Sequence, residues 1–93
     1  MSKNYRQQIG GFISLPNTKS LIEEMLGIKF ILENDKYIHR TKHGYIALYR
    51  MGMVYFDLHT AFCNVFLANE NGEYKMDDVD EVIGKTFIHL LAA

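Results

Sequence analysis

Asp57, His59 and Cys63 are the residue types of a thiol-nucleophile triad, in which a carboxylate orients an imidazole that takes the proton from a sulfur. Their spacing works against that chemistry. Phe, Val and Thr between His59 and Ala68 favour an extended strand, with Phe62 and Phe66 on one face and Cys63, Val65 and Leu67 on the other. At about 3.3 Å per residue, His59 and Cys63 are then about 13 Å apart, beyond hydrogen-bond reach. On a helix they would be neighbours, and the stripe of Phe62, Val65 and Phe66 is the argument for that rival. The strand is the expectation. Cys63 is expected to be a small buried hydrophobe that is dispensable for activity, and no catalytic residue is assigned.

Metal and nucleotide chemistry fare no better. His39 and His43 are four apart, but they fall on a strand and in its turn, where they do not converge, and no Cys-x-x-Cys or His-Glu-x-x-His accompanies them. Asp77, Asp78, Asp80 and Glu81 share only composition with a calcium loop, lacking its ligand order and central glycine. Gly10-Gly11 has neither the further glycines nor the following helix of a phosphate loop. No metal and no cofactor is expected.

Two charged groups are candidates for binding rather than reaction. Lys36, Arg40, Lys42 and Arg50, with Tyr37, His43 and Tyr45 nearby, have the phosphate-pairing and stacking groups that hold RNA or single-stranded DNA. A net charge of −1 speaks against a nucleic-acid binder, so this basic hairpin is the alternative reading. Glu70, Glu73, Asp78 and Glu81 belong to an opposing acidic run, interrupted by Lys75, that offers a basic partner protein a phosphate-like surface. Those four are the assigned partner-binding residues.

The elements that must position these groups centre on Ile28 to Ala68, which reads as an antiparallel meander with turns at Asn34-Asp35, His43-Gly44 and Met51-Gly52. A two-residue loop at Asn34-Asp35 sets Leu32 opposite Tyr37 and Ile31 opposite Ile38. Continuing that register puts Ile28, Phe30, Leu32, Tyr37, His39, Ile46, Leu48, Met53 and Tyr55 on one face. Ile31, Ile38, Tyr45, Ala47, Tyr49, Val54, Phe56 and Leu58 fall on the other. Both faces are apolar, whereas a sheet with one wet side alternates apolar with polar. Helices from the chain ends cover one face. Tyr45, Tyr49, Val54, Phe56 and Leu58 on the other are assigned to a dimer interface. A bulge at Gly52 would exchange the faces of everything after it.

The flanks supply the cover. Residues 1–9 are polar and aperiodic, a flexible arm ending in a short strand over Phe12–Leu15. Pro16-Asn17-Thr18 opens a helix capped by Asn17 or Thr18, or through Ser20 and Glu23, and Gly27 closes it. Leu21, Ile22, Met25 and Leu26 are its apolar stripe. Asn69 to Gly72 reads as a hairpin turn into Glu73–Met76. Asp77 or Asp78 then caps a C-terminal helix through Val79, Val82, Ile83, Thr86, Phe87, Leu90 and Leu91, with Gly84 as the position where it would break.

These features describe one α+β domain of 93 residues: a meander of four to six strands, one helix in the N-terminal half and one at the C-terminus. The single cysteine and a first segment without an apolar core suit a reducing cytoplasm, and no apolar run approaches a membrane span of roughly 18 residues. The expected function is non-enzymatic protein binding by a homodimer, formed through the second face of the meander or the C-terminal helix. Few Arg with many Lys, Asn, Ile and Tyr suits an AT-rich genome, so a phage or mobile-element inhibitor of a host protein is the specific instance expected.

Overall fold

The computed structural model describes residues 11–87. Along the chain come β1 (Phe12–Ser14), α1 (Leu15–Leu26), β2 (Ile31–Glu33), β3 (Lys36–Thr41), β4 (Gly44–Leu48), β5 (Gly52–Asp57), β6 (Phe62–Leu67), β7 (Glu73–Lys75) and α2 (Met76–Thr86). Strands β2 to β6 form one antiparallel meander in sequence order, and β1 pairs with β7 in a separate two-stranded sheet. The fold is α+β, as the sequence predicts.

The first hairpin has the predicted register, Ile31 opposite Ile38 and Leu32 opposite Tyr37. The next two turns each lie one residue earlier than the sequence reading placed them. Thr41 pairs with Gly44, leaving Lys42-His43 as the loop. Tyr49 and Gly52 exchange backbone hydrogen bonds, leaving Arg50-Met51. Sliding a hairpin loop by one residue moves every partner by two, which preserves the face of each side chain. The two predicted faces therefore survive both shifts. Gly44 permits the first: its φ is +149°, and a Cβ there would run into the carbonyl of Phe56.

Helices α1 and α2 cover one face. Leu21, Ile22 and Leu26 from α1, with Val79, Val82 and Ile83 from α2, pack with Ile46, Leu48, Met53, Tyr55 and Phe66 of the sheet. Ile13 and Tyr74 of the small sheet complete that core. Burial raises the pKa of the Tyr74 phenol, whose O–H donates to the carbonyls of Tyr49 and Gly52. This pins β7 to the β4–β5 hairpin.

Several expectations are corrected. The first meander strand begins at Ile31, not Ile28, because the Phe30 N–H is taken by the Glu23 carboxylate at 2.9 Å. Ser14, not Asn17 or Thr18, caps α1, accepting from the Asn17 N–H, and Gly27 closes it in the left-handed conformation as expected. Met25 is exposed, outside the buried stripe. The strand after Asn69–Gly72 is present, but it turns away from β6 to pair with β1. Lys75 occupies the start of α2 with no side-chain cap, Asp77 and Asp78 lie in its first turn, and the helix runs through Gly84. Leu90, Leu91 and the N-terminal arm lie outside the described residues.

Candidate functional site

The second face of the meander has no cover among the described residues. A straight row crosses it, Ile31, Ile38, Ala47, Val54 and Val65, one residue from each strand. Ile31 and Val65 at its ends are 63% and 60% exposed. Adjacent rows add Tyr45, Phe56 and Cys63 on one side, and Tyr49, Gly52 and Leu67 on the other. Tyr45 and Phe56 stack with ring centroids 5.5 Å apart. Near β6 the surface is concave: Tyr49, Met51, Gly52, Val54, Val65 and Leu67 line a groove of about 260 Å³. Met51 and Leu67 are more than three-quarters exposed beside it.

At the opposite end the face is closed by charge. Both terminal nitrogens of the Arg40 guanidinium donate to the Glu33 carboxylate, at 2.6 and 2.8 Å, and the neighbouring Ile38 is 4% exposed. The Arg40 hydrogen bond holds the Glu33 carboxyl below its ordinary pKa, and Glu33 in turn raises that of Arg40. Lys36 is 4.0 Å from Glu33, with its ammonium 5.9 Å from the Tyr49 ring centroid. The open face thus has an ion-paired margin at β2–β3 and a bare apolar margin at β5–β6.

The five residues assigned to a dimer interface fall on this side. Tyr45, Tyr49, Val54 and Phe56 belong to the face itself, and Leu58 follows β5 as an exposed side chain in the turn. Val65, Leu67 and Met51 also belong to the surface. The sequence reading put Val65 and Leu67 together with Cys63 on one side of their strand, but without a register linking β6 to β5 it did not join them to the larger face. Cys63 is exposed, contrary to its expected burial, because it stands opposite Phe56 on the uncovered side.

The residues considered for chemistry do not converge. Asp57 is buried on the helix-covered side and accepts the backbone N–H of His59 at 2.9 Å, whereas Cys63 faces the other way. The His39 ring nitrogen Nδ1 lies 3.1 Å from the Lys29 carbonyl, and the ring meets Phe30 edge-on. The His43 backbone N–H donates to the Thr41 hydroxyl. Among the described residues no three His, Cys, Asp or Glu side chains group as a metal site.

The basic group is dispersed. Lys36 and Arg40 are engaged with Glu33, Lys42 is in the β3–β4 turn, and Arg50 packs over Gly72 in the turn before β7. Within the acidic group, Glu70 is exposed in that same turn and Glu73 accepts from the Asn69 side chain. Asp78 is half-buried in the first turn of α2. Glu81 accepts from Asn64 of β6 and pairs with Lys85 at 3.0 Å.

The fold therefore defines an α+β protein with a five-stranded meander covered by helices on one side. No family model, curated protein or solved structure matches the chain. No helix among the described residues is long and apolar enough to cross a membrane.

Proposed function

We propose that this chain acts by binding protein without chemistry of its own, and that a second copy covers the open face of its meander. The observation carrying this reading is the apolar row from Ile31 to Val65, whose central Ile38 and Ala47 are buried beneath their neighbours, flanked by Tyr45, Phe56, Tyr49 and Leu67, on a side that no helix among the described residues reaches. Contiguous exposed apolar patches of several hundred Å² are rare on monomers.

Area supports a copy as the occupant. The five strands, of three to six residues each, spaced about 4.8 Å apart at about 3.3 Å per residue, present a flat projection of roughly 410 Å² per chain. Two such faces stacked about 10 Å apart in a sandwich bury roughly 820 Å² of flat projection, which side-chain relief and the exposed Met51 and Leu58 raise towards the lower limit of a specific interface. A phage or mobile-element inhibitor in a reducing cytoplasm is the setting that an unpaired cysteine and a compact binding domain suit.

Val54→Glu with Phe56→Glu tests the surface. Both side chains are half-exposed, so the fold should persist, as circular dichroism would register. The molar mass by light scattering should fall relative to wild type. An unchanged mass in a folded double variant rejects the open face as the contact.

A further inference from the structure

Strand β6 is the outer strand of the meander, and its backbone pattern can be followed from its neighbours. Tyr49 and Gly52 exchange both backbone hydrogen bonds, and the Leu58 N–H donates to the His43 carbonyl at 2.7 Å. Antiparallel strands alternate the neighbour to which successive residues bond. Gly52, Val54, Phe56 and Leu58 therefore bond towards β4, and Met53, Tyr55 and Asp57 bond towards β6, where they stand opposite Phe66, Asn64 and Phe62. The bond from the Ala68 N–H to the Met51 carbonyl continues that series. What remains are Cys63, Val65 and Leu67, whose N–H and C=O groups point away from the sheet.

Exposed sheet edges are usually blunted by charge, proline, a bulge or brevity. The other edge, β2, is three residues long, ends in Glu33 and has Lys29 nearby. By contrast β6 is six residues, Phe-Cys-Asn-Val-Phe-Leu, with no charge and no proline. Its ladder to β5 is continuous from Asp57–Phe62 to Gly52–Leu67, so no bulge bends it. Among the described residues nothing blunts or covers this edge.

We propose that β6 pairs antiparallel with β6 of a second copy, with Val65 opposite the same residue of the partner and Cys63 opposite Leu67. An antiparallel pair exchanges two hydrogen bonds wherever outward-pointing residues meet. With outward groups at Cys63, Val65 and Leu67, the register centred on Val65 uses all three on both chains, whereas a shift by two residues leaves one on each chain unpaired. The arrangement is isologous, as a two-fold contact must be. An uncharged edge meets its own copy without like-charge repulsion, and the apolar grooves of the two chains come to lie on the same side of a ten-stranded sheet.

This contact is separate from the stacking of open faces proposed above. Its two-fold axis passes through the sheet, while the stacking axis lies along it. Perpendicular axes of this kind close a four-chain particle with 222 symmetry where they intersect.

Cys63, the only cysteine, makes the register measurable. In C63S/V65C the two thiols are held on a hydrogen-bonded pair with Cα atoms about 5.5 Å apart, within disulfide range. Mild oxidation of the full chain should crosslink C63S/V65C into covalent dimers at least about tenfold faster than wild type or C63S/L67C, since a held pair reacts as a local one. In wild type, Cys63 and its mate are separated by four residues along paired strands, about 14 Å. Mixing wild type with C63S/L67C should produce the mixed dimer in preference to either homodimer. Equal rates at the three positions, or fast homodimers through Cys63 or L67C, overturn the proposal. If light scattering still shows assembly in that case, the stacked-face reading stands without it.

Discussion

The Glu23 carboxylate on α1 accepts the backbone N–H of Phe30 at 2.9 Å, tying the end of the first helix to the start of the meander. The same side chain pairs with Lys19 at 3.2 Å, and its backbone carbonyl receives the N–H groups of Gly27 and Ile28. Partial burial works to raise its pKa, but the Phe30 N–H and Lys19 outweigh that and hold it below the ordinary 4.5. A depressed carboxylate contributes stability that is fully present above its unfolded pKa and is lost as pH falls through the folded one. Unfolding free energy should therefore drop as the solution is acidified below about pH 4.5, and Glu23→Gln should flatten that dependence. Glu23→Ala, which leaves the Phe30 N–H without its acceptor, should cost about 1–2 kcal/mol in urea denaturation.

Gly44 and Gly27 separate two costs of adding a methyl group. Both have positive φ, but at Gly27 a Cβ meets nothing within 4 Å, whereas at Gly44 it strikes the Phe56 backbone. Gly27→Ala should cost about 1 kcal/mol from conformational strain alone. Gly44→Ala must also force β4 and β5 apart, and should cost more than about 3 kcal/mol. Chemical denaturation of the two variants checks the order.

Cys63 is solvent-exposed, so a thiol reagent should modify it in the native protein when the chain is dilute enough to be monomeric. Labelling should slow as concentration rises and copies cover the β6 margin. Cys63→Ser should change stability by no more than about 0.5 kcal/mol, as for other surface positions. A rate independent of concentration would show that the thiol stays uncovered.

The charged groups make a further contrast. Removing Glu70, Glu73, Asp78 and Glu81 together should slow association with a basic partner protein and flatten its salt dependence, since exposed charges act mainly on encounter rate. Replacing Lys36, Arg40 and Lys42 should do less, because two of the three are already engaged by Glu33. Loss of binding to single-stranded nucleic acid in the basic variant alone, measured across a salt series, would favour the basic hairpin instead.

Much of the meander is legible because side-chain alternation is insensitive to a one-residue shift of a turn. Misplacing the turns at His43-Gly44 and Met51-Gly52 by one residue changed partners but not faces, so Tyr45, Val54 and Phe56 fell on the correct side. Helix starts were less legible. Ser14 caps α1 from inside what reads as strand sequence, and Lys75 opens α2 without any capping side chain, so the local capping pattern pointed elsewhere. The partner of β7 was not readable at all. Asn69 to Gly72 specifies a turn, but the direction of the strand after it is set by Tyr74 anchoring on the β4–β5 hairpin and by pairing with β1, more than fifty residues earlier in the chain. The exposure of Cys63 followed from the same gap, since an apolar strand is buried on both sides only when something covers both.

The most direct test of self-association is the mass of the unmodified chain in solution. At about 100 μM, well above the dissociation constant of a stable dimer, light scattering should return at least twice the 10.8 kDa of one chain. A mass of 10.8 kDa at that concentration would contradict the account, leaving Ile31, Val65 and Leu67 exposed to water with no copy to cover them.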